Sequence, residues 1–456
     1  IHPLPLEKIM KKILFILMLP IALFAEVEQD SVPLKVYESD EVIVIDDEFN
    51  VSEKSIIQVL NSTEDLLKYS NSIDLISRAN FASEAVVRGY TQDRLNVTID
   101  GMRMYSACID KMDPITSYIE VENLKSFDVS ADKSDMSNGI SVGGSLNFIT
   151  NKPIHNDEFR LVLDNQFSSA SEFYNSKGRV NYSDGDFATL LSYSVKNSDN
   201  YTAGNSSIIN NSSYSKENYK LNMSYNSSPN TKHGLEYIYD HSADVGYPSL
   251  IMDTRETRMN MISYQIDMRN VSDEILRMNT KLYYNKISHL MDDYDRSDDE
   301  INNRVVMPGM YMPMNGTTET MGFVTKNKIL LGQDILNLSF EAFRMNAFSD
   351  MKMEMLEDER EMYLVNLGDI ETYNGGLYAG YLTQLDDSVL LKLNGRIDYT
   401  TRSVNSKFAR ATAESYWGNN YKIAGLQLNT SANLQYDISS NQNASITLSR
   451  VERAPT

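Results

Sequence analysis

The sequence predicts a compact N-terminal α+β domain followed by a transmembrane antiparallel β-barrel. Three observations support this prediction: an export signal near the N-terminus, a change of pattern near residue 155, and alternating segments with aromatic ends beyond it. A membrane barrel needs such alternation, because its lumen side is wet and its outer side meets lipid. A soluble β-sandwich also alternates, but the export signal, the many tyrosines and the long polar loops favour the barrel.

Residues 1–25 form the predicted export signal and the residues upstream of it. Met10-Lys11-Lys12 supplies the positive charge, residues 13–24 are apolar, and Ala25 precedes the expected cleavage point. The apolar run is too short for a spanning helix, so we exclude it from the fold.

Residues 51–155 show the mixed signals of an α+β domain, and about a hundred residues suffice for a separate core. A short helix is predicted after Thr63, a residue type that caps helices. Residues 95–99 alternate like a strand and are followed by the turn Asp100-Gly101. Residues 146–150 give another short strand. The preceding residues, 26–50, are interpreted as a linker.

From residue 156 to residue 456 the period-two pattern dominates. Tyr219 and Leu221 share one face of a strand, while Lys220 and Asn222 share the other. Similar segments recur at 235–239, 259–268, 276–284, 329–340, 390–399, 426–436 and 444–451. This region is therefore the predicted barrel.

Cys108 is the single cysteine of the chain. It has no partner for an intramolecular disulfide, and Met112 follows four residues later, which indicates soft-metal ligation. On one helical turn the two sulfur atoms would project to the same side. The alternative is that Cys108 is a small buried hydrophobic residue.

The segment from Arg88 to Arg103, RGYTQDRLNVTIDGMR, resembles the plug-domain signature of TonB-dependent outer-membrane receptors. The segment from Gly143 to Thr150, GGSLNFIT, resembles the end of the same plug. The resemblance implies a plug inside a 22-stranded barrel in the outer membrane of a Gram-negative bacterium, acting as a monomer. Residues 156–456 offer about a dozen convincing strands, so we expect an incomplete barrel.

The resemblance also implies a protein partner, the TonB energy-transducing complex. Glu41-Val42-Ile43-Val44-Ile45 resembles the TonB box, a short segment that pairs with a strand of that complex. An ordinary plug strand is a nearly equal alternative interpretation of these five residues.

Within that family, Cys108-x-x-x-Met112 followed by Asp113-Pro114 resembles the copper receptors associated with copper supply for nitrous oxide reductase. His289-Leu290-Met291 matches the His-x-Met element of the same subgroup. The resemblance implies that Cys108, Met112, His289 and Met291 are the metal ligands. Such a soft set suits Cu(I), whereas Ca²⁺ and Mg²⁺ prefer oxygen ligands and zinc rarely uses thioethers.

Methionines are frequent around the predicted barrel mouth. We interpret them as a transient copper relay, and the packing of irregular gaps is an equal alternative. Met312 and Met314 are weaker ligand candidates, since they share a face if the segment is extended. The others are Met307, Met310, Met321, Met345, Met351, Met353, Met355 and Met362.

The predicted function is therefore copper binding and import through a site between plug and barrel. No nucleophile motif or phosphate-binding glycine loop is present, and the five histidines lack metalloenzyme spacing, so we predict neither an enzyme nor an organic cofactor. A formal charge of −21 argues against nucleic acid as a partner. Two alternatives remain open: a receptor for a siderophore or other metal chelate, and a non-transporting surface adhesin or binding barrel.

Overall fold

The computed structural model describes residues 47–454, apart from 51–59, 92–93, 131–135, 140, 156–158, 359, 418–420 and 440–441. The N-terminal domain and the large sheet that follows it belong to one compact unit. Within the described residues, no helix is long and apolar enough to cross a membrane.

The N-terminal domain contains a five-stranded sheet of order β1-β6-β7-β4-β5 and a separate β2–β3 hairpin. Its strands are β1 (Asp47–Asn50), β2 (Ile73–Ser77), β3 (Ser83–Val87), β4 (Asn96–Ile99), β5 (Met102–Arg103), β6 (Leu124–Ser130) and β7 (Ser145–Thr150). Its helices are α1 (Thr63–Leu67) and two 3-10 turns, Ile115–Tyr118 and Val121–Asn123. The predicted strands at 95–99 and 146–150 correspond to β4 and β7.

Helix α1 begins at Thr63, one residue before the predicted start, and its cap is Ser62 instead of Thr63. The Ser62 hydroxyl accepts a hydrogen bond from the backbone N–H of Asp65 at 3.2 Å. The Thr63 hydroxyl instead donates to the carbonyl of Ile119 at 2.5 Å. Serine and threonine hydroxyls can both cap a helix. Here the Thr63 hydroxyl is engaged by Ile119, so Ser62 is the cap.

The second part is a 14-stranded sheet in which consecutive long strands pair antiparallel from β8 to β21. Its strands are β8 (Phe159–Ser168), β9 (Phe173–Asp184), β10 (Phe187–Ser198), β11 (Tyr214–Ser228), β12 (Thr231–Val245), β13 (Asp253–Arg269), β14 (Ile275–Asp292), β15 (Met310–Tyr311), β16 (Met314–Leu331), β17 (Asp334–Met355), β18 (Glu361–Asp386), β19 (Val389–Val404), β20 (Lys422–Ser439) and β21 (Gln442–Arg450). Two helices, α2 (Asp298–Asn303) and α3 (Lys407–Trp417), lie in its loops. Among the described residues, β8 and β21 are the two ends of this sheet.

The segment 329–340, predicted as one strand, is a hairpin. Strand β16 ends at Leu331 and β17 begins at Asp334, so two residues make the turn. Gly332 has a φ of +67°, a conformation that glycine adopts without steric cost. Apolar residues lie on both sides of the turn, Ile329-Leu330-Leu331 before it and Ile335-Leu336 after it, so the sequence resembles one continuous strand.

The two faces of the long strands differ as predicted. Lys220 and Asn222 on β11 are buried against the N-terminal domain, whereas Tyr219 and Tyr225 on the other face are exposed. The N-terminal domain therefore lies against the polar face of the sheet, which has the character of a barrel lumen.

Buried ion pairs join the N-terminal domain to the sheet wall. Arg103 on β5 contacts Glu341 on β17 at 2.6 Å, and Arg396 on β19 contacts the same carboxylate at 2.7 Å. Arg396 also contacts Asp398 at 2.8 Å and is fully buried. We call these four side chains the Glu341 network.

A second contact of this kind centres on Glu120. Its carboxylate contacts Lys216 at 2.9 Å and also pairs with Lys196, and both lysines lie on wall strands. Burial alone would raise the pKa of Glu120, but the two lysines lower it to about 2. The carboxylate therefore stays charged and holds the domain to the wall at ordinary pH.

Candidate metal centre

Cys108 lies in a turn of the N-terminal domain, not in a helix. The N–H of Lys111 donates to the Cys108 carbonyl at 3.4 Å, and Lys111 has a φ of +57°, which ends any helical path. The predicted helical turn is therefore wrong. The tighter turn still brings Met112 close to Cys108. The backbone N–H of Met112 points at the Cys108 sulfur, 3.5 Å away.

The wall contributes His289 and Met291 near the end of β14. They are two residues apart on a strand and both face inward, as predicted. In the register with β16, His289 lies opposite Gly316 and Met291 lies opposite Met314. Met314 is thereby placed beside the predicted wall ligands.

One buried cluster unites the predicted sulfur atoms from both halves. It contains Cys108, Met112, Met291, Met312 and Met314, together with Phe81, Ala82, Val245, Tyr247, Met252 and Met353. His289 lies beside it, and none of the six candidate ligands is more than 5 % exposed. The arrangement offers a thiol, an imidazole and several thioethers to a single soft cation.

Asp113 is a site residue that the sequence reasoning missed as a ligand candidate. The Cys108 sulfur, a carboxylate oxygen of Asp113 and a ring nitrogen of His289 all lie within 4.8 Å of one another, and all three side chains are buried. The position of Asp113 directly after Met112 was the sequence signal that could have indicated it. A local pattern, however, does not show that a wall histidine will approach this carboxylate.

Hydrogen bonds fix Asp113 on several sides. Ser106 donates to Oδ1 at 3.3 Å, and the hydroxyl of Tyr118 donates to Oδ2. Burial, followed by the Asp113 carboxylate, raises the pKa of Tyr118 well above its ordinary value, so the phenol stays protonated and donates.

Tyr247, in the loop after β12, ties the wall to the ligand-bearing turn. Its hydroxyl donates to the carbonyl of Met112 at 2.5 Å, and its own N–H donates to Asp253 at 2.7 Å. Arg296 contacts the same Asp253 carboxylate at 2.7 Å. The loops above the cluster therefore hold the Met112 segment in place.

A second loop contact places Met312. The N–H of Met312 donates to Asp293 at 2.7 Å, and Arg304 contacts the same buried carboxylate at 2.8 Å. The other mouth methionines differ in their surroundings. Met310, Met351 and Met353 pack with the cluster, Met345 belongs to a separate apolar group, Met355 is half-buried, and Met307, Met321 and Met362 are exposed.

Gly316 permits the close approach of the Cys108 turn of the N-terminal domain to the wall. A Cβ added at Gly316 would lie 2.1 Å from the carbonyl oxygen of Ala107, the residue before Cys108. No real Cβ contact is that short, so the backbone of the turn would have to shift.

We therefore expect Gly316→Ala to displace Cys108 from His289 and to weaken metal binding at least about tenfold. The matched control is Gly375→Ala on β18, where an added Cβ meets nothing within 4 Å. Metal affinities of the two variants, measured by chelator competition, test this. Equal affinities for both variants would show that the Ala107 contact does not position the thiol.

The TonB-box candidate, Glu41 to Ile45, lies outside the described residues. Its position relative to the plug therefore remains a prediction.

Residues 50–145 match the family described as "TonB-dependent Receptor Plug Domain". None of the curated proteins matches the chain. The chain thus contains a plug domain of the TonB-dependent receptor family, whose members are outer-membrane β-barrel proteins of Gram-negative bacteria. Proteins of this class are outer-membrane transporters and not enzymes.

Solved structures of that class share the fold over about nine tenths of the chain. The copper transporter OprC matches with a TM-score of 0.78 and 18 % identity, over 90 % of this chain and 64 % of that one. The FrpB iron transporter from Neisseria meningitidis (F5-1 variant) matches with a TM-score of 0.68 and 15 % identity, over 90 % and 64 %. The ferric citrate transporter FecA in the unliganded form matches with a TM-score of 0.66 and 12 % identity, over 88 % and 61 %. The chain therefore spans less than two thirds of the length of these three structures.

Proposed function

We propose that this protein is a TonB-dependent receptor that binds copper between plug and wall and admits it to the periplasm. The observation that carries the proposal is the single buried cluster formed by Cys108 and Met112 of the plug with Met291 of the wall, beside His289. Thiolate, imidazole and thioether ligands favour Cu(I) over harder cations. The match to the copper transporter OprC supports the same cargo.

The proposed transport cycle uses the plug as a mobile half-site. With two ligands on the plug and two on the wall, any movement of the plug relative to the wall separates the ligand pairs and lowers copper affinity. The TonB complex would supply that movement from the periplasmic side, and the receptor would act as a monomer in outer-membrane lipid. The resemblance of both ligand motifs to copper receptors supports copper supply for nitrous oxide reductase as the physiological use.

A siderophore or other metal-chelate receptor is the second candidate, favoured by the likeness to the iron transporters FrpB and FecA. The burial of all four proposed ligands argues for a bare ion over an organic chelate. A non-transporting adhesin or binding barrel is the third candidate, and it would not depend on energy coupling.

Metal analysis of the purified mature protein tests the proposal. We expect stoichiometric copper after anaerobic incubation with Cu(I), and much weaker retention of Zn²⁺ under the same conditions. Tight binding of a ferric chelate by protein that retains no copper would favour the second candidate instead.

Energy coupling gives a separate prediction. Removal of Glu41 to Ile45 is expected to abolish copper uptake by cells while copper binding by the purified protein stays near normal, because every proposed ligand lies elsewhere. A deletion of equal length at 27–31, within the predicted linker, is the matched control. Uptake that persists without residues 41–45 would mean that the box lies elsewhere or that transport is passive.

A further inference from the structure

Two buried polar groups of the metal centre face each other in a way that a set of four ligands does not explain. The first is Asp113, a fully buried carboxylate. The second is the ring of His289: among the described residues, neither of its nitrogens has a hydrogen-bond partner in good geometry. A buried polar group without a partner is costly, so the ring of His289 needs one in the working site.

The two groups face each other across the boundary between plug and wall. Nδ1 of His289 lies 3.2 Å from Oδ2 of Asp113. This separation is that of a hydrogen bond, and only the angle of the imidazole ring falls short of one in this conformation. The contact therefore assigns the Nδ1 proton to the side of Asp113.

The surroundings of Asp113 favour an acceptor over a metal ligand. Ser106 donates to one carboxylate oxygen, and Tyr118 donates to the oxygen that faces His289. Ser106 also accepts from the N–H of Cys108 at 3.3 Å, so the same hydroxyl connects the carboxylate to the turn that carries the thiol. With donors on both oxygens, the carboxylate is held in a fixed orientation toward Nδ1.

If Nδ1 is engaged by Asp113, the atom left for the metal is Nε2 of His289. Histidines that bind metals commonly donate their other ring N–H to a carboxylate, which fixes the tautomer and the orientation of the ring. The Cys108 sulfur lies within 4.8 Å of the ligand atoms of both Asp113 and His289, so the ring is already near the thiol.

We propose that Asp113 is a positioning residue that orients His289, with Nε2 as its metal-binding atom, and that Asp113 does not itself bind the metal. This inference rests on the proposed copper site and adds the residue that sets the geometry across the two halves of that site. Asp113 also gives the plug a second contact with the wall ligand. If the plug moves away from the wall, His289 loses the group that orients its ring at the same time as the metal loses the sulfur ligands of the plug.

The test compares Asp113→Asn with Asp113→Ala in the full-length protein, using Cu(I) alone as the probe. Asparagine keeps an acceptor oxygen for the imidazole N–H, whereas alanine removes it. We expect Asp113→Ala to lower Cu(I) affinity about 10- to 100-fold, and Asp113→Asn to recover most of that loss. X-ray absorption of the copper-loaded proteins should show the same nitrogen, oxygen and sulfur neighbours in wild type and both variants.

Two results would overturn the proposal. One is an oxygen neighbour of copper that is present in the wild type and absent from both variants, with equal affinity losses for asparagine and alanine, since that pattern makes Asp113 a ligand. The other is unchanged affinity in Asp113→Ala. A wild-type protein that binds no Cu(I) would instead overturn the proposed function, and Asp113 would lose its role with it.

The His289→Ala background provides a control for general damage to the fold. There, loss of the Asp113 carboxylate should have little further effect on residual Cu(I) affinity, because the ring that it orients is gone. An additive loss in the double variant would count against the proposed coupling.

Discussion

Replacing Cys108 by alanine is expected to lower copper retention more than alanine substitution of any other candidate ligand. The thiolate is the single anionic ligand of the proposed set, and its loss leaves an imidazole and thioethers to hold the ion. We expect Cu(I) affinity to fall by more than about 100-fold, a larger effect than the loss of a group that only orients a ligand.

Met312→Ala is the comparison for this prediction. Met312 lies in the same buried cluster, but it comes from the loop before β16, where a relay role would make it less important to the final site. We expect a clearly smaller loss for this variant. Copper analysis of the single variants measures the difference, and full stoichiometric copper in the Cys108→Ala, His289→Ala double variant would show that the metal binds elsewhere or not at all.

The same site predicts a stability effect that does not depend on transport. Because copper would contact plug and wall together, it should stabilise the assembled state against plug release. A ligand at 100 times its Kd adds about 2.7 kcal/mol to the state that binds it. Wild-type protein should gain protection of the plug from proteolysis on copper addition, and the Cys108→Ala variant should lose most of this gain.

Replacing Glu341 by alanine is expected to destabilise the assembly of plug and wall by about 3–5 kcal/mol. The substitution leaves Arg103 of the plug and Arg396 of the wall without their shared carboxylate, and Arg396 is fully buried. Asp398 would still pair with Arg396, so the larger consequence falls on Arg103.

The matched control is Glu319→Ala, which removes the carboxylate partner of Lys286 at 2.6 Å in a half-exposed pair. Exposed pairs contribute about 0–1 kcal/mol, so this variant should unfold almost as wild type does. Denaturant unfolding, monitored by the protease sensitivity of the plug, measures the stability of both variants. Equal midpoints for the two variants would show that the Glu341 network does not hold the plug.

Local patterns in the sequence determined much of this protein. The alternation of Tyr219 to Asn222 assigned the faces of β11 correctly, because a period of two places neighbours on opposite sides of a strand. The plug signature fixed the class of the N-terminal domain, and the family match over 50–145 confirms it. The identities of the six candidate ligands also came from short motifs, and the structure brings them to one place.

Other features depended on contacts between residues far apart in the chain. Arg103 and Glu341 are 238 positions apart, and no local period connects them. Their pairing is decided by how the plug sits against β17. The approach of Ala107 to Gly316 is of the same kind, since it depends on the shape of two backbones and not on either side chain.

The metal centre shows most clearly which features the sequence determined and which ones the tertiary structure decided. The sequence identified Cys108 and His289 as candidate ligands, but it gave the wrong local geometry for the turn that carries the thiol. Adjacency to Met112 was a signal too weak to place Asp113 in the site. Ligand types are determined by residue chemistry, which the sequence states directly. Which carboxylate faces which imidazole is determined by the docking of one folded unit on another, so the tertiary structure alone decided the place of Asp113.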